Sequence, residues 1–501
     1  MLRIRHIHGI IPLSGCAGKG DCMVVNTSAL IIVIGYLVGM LIVGYVVGKI
    51  KIKGAEDYML AGRRMGIFMV AFSLSANNIG GGCTTGLAQK AFGAWGMSAM
   101  WYVLAASIAM IPLAYFAPKI RKAMAVTIPE VVGRRFGKFS SGFAAVLNIL
   151  ALFCLTSSQV AASGSVVATL TGMNTKLCMI IAGIVIILYT TFGGMIADQI
   201  SDMVQFLIIL VGLAIATPIV ISSLGGWSAI AAKLPEGQTS FTKIGWAYII
   251  GYIFNYFCTF LSGPEMISRF ETSKDEATAK KASFLSAILM AAMAAFPTLL
   301  GLAALAVKDS LPNLAANGSN AMMAVTQAYA PTIITGIVSA AIISATMSSA
   351  DSNLLCMSTM VINDIYKPYF NKEIGGMKEV WATRICNIVC CAVAMLISFL
   401  AIPITSMNTF AFGIRCAGPF AAYGLGLVIP RATKNSGLIS IVTGTIGFVV
   451  WQIMSANGVA ITNYLMPVVF GCLVSVVTFF LVNAIEWKKG VKPAPSAYVS
   501  E

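Results

Sequence analysis

Ser75-Ala76-Asn77-Asn78-Ile79-Gly80-Gly81-Gly82 and Ala345-Thr346-Met347-Ser348-Ser349-Ala350-Asp351-Ser352 decide the reading of this chain, because both lie inside long apolar runs and neither suits an ordinary membrane helix. Three glycines after two asparagines make a helix easy to unwind, since glycine is about 1 kcal/mol less favourable than alanine in a helix interior. Unwinding frees backbone carbonyls at membrane depth. Irregular backbone survives there only where it lines a cavity or is buried in protein. The second stretch sets two hydroxyls and a carboxylate where hydrocarbon is expected. The two stretches together predict an oxygen-lined cation site between two helices. Its expected ligands are the carbonyls of Ala76, Ile79 and Ala345 and the hydroxyls of Ser348 and Ser349. The bland reading of a serine pair, bonding back to its own helix or joining helices, stands beside this one.

Outward from these stretches, the composition places the whole chain in a membrane. Of 501 residues 58% are hydrophobic and only 10% charged, a balance no soluble domain carries. A spanning helix needs about 20 mostly apolar residues. Thirteen segments qualify: 28 to 48, 67 to 92, 94 to 118, 140 to 172, 176 to 195, 198 to 224, 244 to 264, 282 to 306, 332 to 361, 382 to 402, 404 to 430, 436 to 456 and 462 to 486. The expected fold is therefore an all-α polytopic membrane protein. Connections are short, and the tail after Trp487 has only 14 residues.

The net charge of +15 follows from topology. With the N-terminus outside, the clusters at Lys49 to Arg64, Lys119 to Lys138, Arg269 to Lys281, Lys367 to Arg384, Arg431 to Lys434 and Lys488 to Lys492 all fall inside. This is the positive-inside pattern, and it predicts a multi-pass protein of the plasma (cell inner) membrane with a cytoplasmic C-terminus. No basic patch lies outside the short loops, so nucleic acid is not an expected partner. Arg3, Arg5 and Lys19 break the pattern, and His6 and His8 precede a second methionine, Met23. Residues 1–22 are expected to be a non-native or disordered extension, with translation starting at Met23. The twelve cysteines form no C-x-x-C pair and read as inert buried thiols. With no histidine after His8, a histidine-assisted hydrolase or proton relay is disfavoured. No enzyme activity and no organic cofactor are expected.

The spans fall into two groups of five. One runs over 67–224 and the other over 244–430, with one extra helix before them at 28–48, two after them at 436–486, and a cytoplasmic tail from 487 to 501. Each group opens on an interrupted helix, at Asn77 to Gly82 and at Ser262-Gly263-Pro264-Glu265. Five spans per group give the two halves opposite orientations. Inverted repeats with interrupted helices in matching positions point to a secondary transporter with its site at mid-membrane. Ionisable residues at depth add to this: Asp198, Asp202, Glu265, Asp351 and Arg415. Such groups are costly in the bilayer and usually mark an ion or solute path, with structural pairing as the alternative.

The Ala-Asn-Asn-Ile-Gly-Gly-Gly stretch, the segment from Tyr189 to Gln205 with Gly193-Gly194 and Asp202, the loop around Arg269, and the Met347 to Ser352 run together resemble the sodium:solute symporter family. The resemblance covers the chain from the first span to the last. It implies a leucine-transporter type fold of inverted five-helix repeats and alternating access driven by sodium. It places the family's sodium site on Ala76, Ile79, Ala345, Ser348 and Ser349, and it matches Asp202 to an acidic residue on the inward ion path. Sodium, lipid and a small solute are the implied partners, and sodium is the only metal. Locally the glycine triplet and the Met-Ser-Ser-Ala-Asp-Ser run look most like the choline-transporter branch. That branch recognises a quaternary ammonium with aromatic rings. Here Asn78 and Glu265 stand where two of its tryptophans would be.

The expected solute site comprises Asn78, Tyr102, Tyr256, Glu265 and Arg415, and the expected solute is small, polar and amine-bearing or zwitterionic, such as an amino acid. Glu265 has two readings: an amine's counter-ion, or a gate residue paired with Arg269 one turn on. A choline-like cation or an organic anion are the alternative solutes. An ion channel and a transporter-fold sensor are alternatives of another class. Two inverted halves in one chain fit a carrier better than a pore, and the short tail carries no output domain.

Overall fold

The computed structural model describes residues 27–311, 313–370, 373–400 and 402–498. The expected extension 1–22 and the proposed start at Met23 lie outside them. The described chain is all helix, apart from a single isolated bridge between Met65 and Ser273. Its principal helices are α1 (Thr27–Lys51), α2 (Ile67–Asn78), α3 (Thr85–Phe92), α4 (Trp101–Ala123), α5 (Ile128–Phe136), α6 (Lys138–Thr171), α7 (Thr175–Ser223), α8 (Trp246–Leu261), α9 (Pro264–Glu271), α10 (Glu276–Met293), α11 (Ala295–Ala306), α12 (Thr332–Met360), α13 (Gly376–Ser398), α14 (Ile404–Ala417), α15 (Lys434–Ala456) and α16 (Pro467–Lys488).

Among the described residues nine helices are long and apolar enough to cross a membrane, or ten when α14 is joined across a 41° bend to the short helix Ala421–Val428. The thirteen expected spans do not appear as thirteen helices, for two physical reasons. The segments 67 to 92 and 244 to 264 are interrupted, so α2 and α8, at 12 and 16 residues, are each short of a span. The segments 176 to 195 and 198 to 224 are instead joined in α7, whose 49 residues bend at Gly194. At 1.5 Å per residue α7 follows a path of about 74 Å, more than twice a hydrocarbon core. Gly194 makes the bend with φ +58° and ψ −172°, a backbone region open in practice to glycine alone.

Helix α12 is the centre of the molecule. Almost every residue from Thr335 to Met360 is buried, with no polar face turned outward. A helix enclosed on all sides has no reason to be amphipathic, and α12 is not. It packs on α6 and α7, with α1 laid across α7 and α12 from outside. Helices α4 and α10 pair on the other side of α2. The outer helices present apolar side chains outward: Ile31, Ile34, Val38 and Ile42 on α1, and Leu473, Val477, Phe480 and Leu481 on α16. That belt suits lipid, and a water-soluble monomer rarely exposes one so extensive.

Candidate functional site

Much of the polar backbone at the first break is paired. Helix α2 ends as the Ile79 N–H donates to the Ser75 carbonyl, and α3 begins at Thr85. Between them the Gly81 N–H donates to Gln159 Oε1 at 3.0 Å. The Thr84 and Thr85 hydroxyls, each at 3.0 Å, cover the Gly80 and Gly81 carbonyls, and Cys83 Sγ covers Asn78. Ser349 Oγ, from the middle of α12, donates to the Asn77 carbonyl at 2.8 Å and so ties α12 to the break. Four carbonyls are left over. Among the described residues no donor reaches the oxygens of Ala76, Ile79, Gly82 and Cys83, all of them buried residues. Buried carbonyls are rarely without a partner, so this turn has oxygens to offer a ligand.

The Ala76 and Ile79 carbonyls belong to the expected sodium set, and α12 brings Ser349 of that set against the same turn. Ser349 Oγ also approaches the Ala345 carbonyl at 3.2 Å, one turn earlier on α12. Ser348 Oγ donates to Asp202 Oδ1 at 2.5 Å. Both hydroxyls thus give their protons to oxygens and keep lone pairs free for a cation, as the donor chemistry of such a site requires. The close approach depends on Gly80, where a Cβ would come within 2.6 Å of Ser349 Oγ and 3.0 Å of Gln159 Oε1.

Below this set lies a buried charge cluster. The Arg269 guanidinium, fully buried, donates to Asp198 Oδ2 at 2.5 Å, to Asp202 Oδ2 at 3.2 Å, to Ser73 Oγ at 3.1 Å, and to Ser352 Oγ. Asp202 also accepts from Ser73 Oγ at 2.5 Å. Carboxylate oxygens of Asp198, Asp202 and Asp351 lie within 4.8 Å of one another. Asp198 and Asp202 are therefore groups enclosed within the protein. One sequence reading is corrected here. Glu265 is not the side-chain partner of Arg269, which reaches only the Glu265 carbonyl oxygen, at 3.2 Å. The side-chain partner of Glu265 is Arg415, whose Nη1 donates to both carboxylate oxygens at 2.7 and 2.9 Å.

This second ion pair stands at the second break. Helix α8 closes at Ser262, Gly263 crosses to Pro264, and the proline opens α9 at a position where its missing N–H costs nothing. A Cβ on Gly263 would fall 2.8 Å from the Thr259 carbonyl and 3.2 Å from the Arg415 guanidinium carbon, so the glycine makes room for the pair. Both breaks open on one cavity of about 480 Å³, the open space at its mouth included. All five expected solute residues line it: Asn78, Tyr102, Tyr256, Glu265 and Arg415. Tyr102 and Tyr256 meet edge to face at 5.7 Å, and Phe260 and Phe412 extend the aromatic wall at 5.4 and 6.2 Å from Tyr256.

Sequence reasoning passed over several lining residues: Asn77, Gln159, Asn353, Asn408, Phe260 and Phe412. Gln159 and Asn408 had a signal, since each is an uncharged polar side chain inside an apolar span, where such groups bond between helices. They are linked through Ser158, whose hydroxyl donates to Asn408 Oδ1 at 2.7 Å. Phe260 and Phe412 had none, being two apolar residues among many.

The geometry has known counterparts. The osmoregulated proline transporter OpuE of Bacillus subtilis (strain 168) is 27% identical over 472 residues, 90% of this chain and 95% of that one. A sodium/proline symporter of Staphylococcus aureus (strain bovine RF122 / ET3-1) is 25% identical over 490 residues, 93% and 94% of the two chains. Among solved structures, a substrate-bound, outward-open Na+-coupled sialic acid symporter superposes with a TM-score of 0.79 at 20% identity, over 93% of this chain and 98% of that one. A nucleobase-cation-symport-1 family transporter in a closed conformation gives 0.57 at 14% identity, over 87% and 95%. The all-helical transporter fold implied by the resemblance is thereby borne out. The likeness to the choline branch is not confirmed, since the relatives above are named for proline. The model of the sodium:solute symporter family matches residues 58–444, well over half of the chain and including both interrupted helices, and the protein therefore belongs to that family, as a sodium-coupled symporter of a small organic solute in a multi-pass membrane fold.

Proposed function

We propose that the protein imports a small zwitterionic amino acid together with sodium by alternating access, with proline as the first candidate. The observation that carries this reading is the shared cavity of the two breaks, where one carboxylate and one guanidinium cancel each other. A neutral wall suits a solute of zero net charge. Arg415 opposes a quaternary ammonium and Glu265 opposes an anion, so the choline-like and organic-anion readings are weaker, although the tyrosine wall would serve a cation–π contact. The relatives named for proline support the same choice.

In this reading sodium binds the carbonyls of Ala76, Ile79 and Ala345 and the hydroxyls of Ser348 and Ser349. The ion joins the unwound turn after α2 to α12, and Asp202, already bonded to Ser348, is the next oxygen on its way inward. The thirteen spans follow when α7 counts as two and each interrupted helix as one. The two halves, 67–224 and 244–430, are then inverted repeats, with the N-terminus outside, the C-terminus in the cytoplasm, and the plasma membrane as the site of action.

Uptake of labelled L-proline into proteoliposomes under an inward sodium gradient tests this. The expected result is saturable uptake that an equal potassium gradient does not support. Ser348→Ala/Ser349→Ala is expected to lower sodium affinity by at least about tenfold, through loss of two ligands to a charged species. Flux that never saturates with solute would instead indicate a pore, and uptake indifferent to sodium would exclude the cage as the coupling site.

A further inference from the structure

Two residues that line the cavity each carry a buried polar atom that no group among the described residues satisfies: the Nε–H of Arg415, a donor, and the side-chain oxygen of Asn77, an acceptor. Their residues are only 1% and 6% exposed. Part of each side chain is held, with Arg415 Nη2 left unbonded beside Nε among the described residues. Arg415 presents Nη1 to both oxygens of Glu265, and the Asn77 amide nitrogen contacts Met266 Sδ at 3.8 Å. An unmet donor on a cation and an unmet acceptor on an amide, carried by two residues of a cavity with no net charge, are complementary to a carboxylate and an ammonium on one small molecule. A solute with only one of these groups leaves the other atom buried and unpaired, which is the stronger source of discrimination in a closed site.

We propose that the solute's carboxylate binds the Arg415 Nε–H and its ammonium the Asn77 side-chain oxygen, while Glu265 acts as a positioning residue that holds Arg415 and cancels its charge. This assignment rests on the amino-acid reading above and changes one part of it, since Glu265 is no longer the amine's counter-ion. It also supplies a link to the ion. Asn77 lies between Ala76 and Ile79, two of the residues with open carbonyls, and its own carbonyl accepts from Ser349. A cation that orders this turn also aims the Asn77 side chain, so sodium and the amino acid bind better together than apart.

The test is a thermal-shift titration of the purified full-length protein in NaCl, where a ligand of the folded state raises apparent stability. The probes are L-proline with cyclopentanecarboxylate and pyrrolidine, and L-alanine with propanoate and ethylamine. The informative quantity is the affinity ratio between each amino acid and its carboxylate-only analogue. In the wild type that ratio is expected to be large. Asn77→Ala should collapse it by about tenfold or more, the scale of a lost hydrogen bond to a charged group. Glu265→Gln should leave the ratio intact while tightening both carboxylates, because Arg415 is then uncompensated. Arg415→Lys, which keeps the charge and removes Nε, should weaken both carboxylates together. A ratio unchanged in Asn77→Ala and collapsed in Glu265→Gln would overturn the assignment and leave the amino-acid reading standing. A wild type that responds to sodium but to neither amino acid would overturn both. Asn77→Asp provides the conservative control, and a ratio restored above that of Asn77→Ala is the expected result.

Discussion

At the scale of single residues, close approach decides more than charge does. Gly80 is the clearest case, because the contact between α12 and the first break leaves no volume for a methyl group. Gly80→Ala is expected to push Ser349 from the Asn77 carbonyl and to weaken sodium-induced stabilisation by about tenfold or more, with helix content by circular dichroism unchanged. Undiminished sodium stabilisation in that variant would show that the cage is not built on this contact. Arg269 makes the opposite demand. Truncation to alanine leaves Asp198 and Asp202 buried without their cation, a loss on the order of 3–5 kcal/mol. The expected readout is a large fall in apparent melting temperature that Arg269→Lys only partly restores, since lysine cannot fork between two carboxylates. How far these residues were legible depends on how local their signal is. Glu265 and Arg415 stood out singly as charges in apolar spans, but 150 positions separate them and nothing in the spacing says that they meet. Asn77 was passed over because Asn78, its neighbour, carried the contrast with the choline branch.

At the scale of elements, both interruptions could be read, because unwinding has a local cause in glycine and proline. The boundary between the expected spans at 195 and 198 was equally legible, for Gly194 bends α7 beside that gap. What the pattern of apolar residues could not supply was the continuity of helical hydrogen bonding across the bend. The start of helix α5 also has a local signal, since Thr127-Ile128-Pro129-Glu130 has the capping-box pattern, with the return bond going to the residue before the cap. The Thr127 hydroxyl accepts from the Glu130 N–H at 3.2 Å, and the Glu130 carboxylate accepts from the Val126 N–H at 2.8 Å. The bend itself is testable. A Cβ at Gly194 would take a left-handed φ and fall 2.7 Å from the Tyr58 ring. Gly194→Ala should therefore cost at least about 1–3 kcal/mol, seen as a lower apparent melting temperature in detergent. Gly35→Ala in α1, where a methyl group meets nothing within 4 Å, is the matched control and should change little.

At the scale of the whole molecule, the reading turns on which side of the membrane each end of α12 and each basic loop occupies. The charge pattern assigns the inside to the loop after α9, with Lys274, and to the tail, with Ser496; it assigns the outside to the loop between α11 and α12, with Asn317. All three positions are exposed. The ten described native cysteines are all buried or half-buried, so with Cys16 and Cys22, which lie outside the described residues, replaced by serine, background labelling by a charged maleimide should be low. Single cysteines at Asn317, Lys274 and Ser496 should then divide cleanly. In intact cells the reagent is expected to modify Asn317→Cys alone, and in inside-out vesicles Lys274→Cys and Ser496→Cys alone. The division matters beyond topology, because it fixes the direction in which the buried cluster faces. With Lys274 inside, α9 runs from the second break toward the cytoplasm, and Arg269 with Asp198 and Asp202 stands between the sodium cage and the interior of the cell. Labelling of Lys274→Cys from outside would reverse that order, make Asp202 an entry residue, and remove the argument that sodium leaves past it.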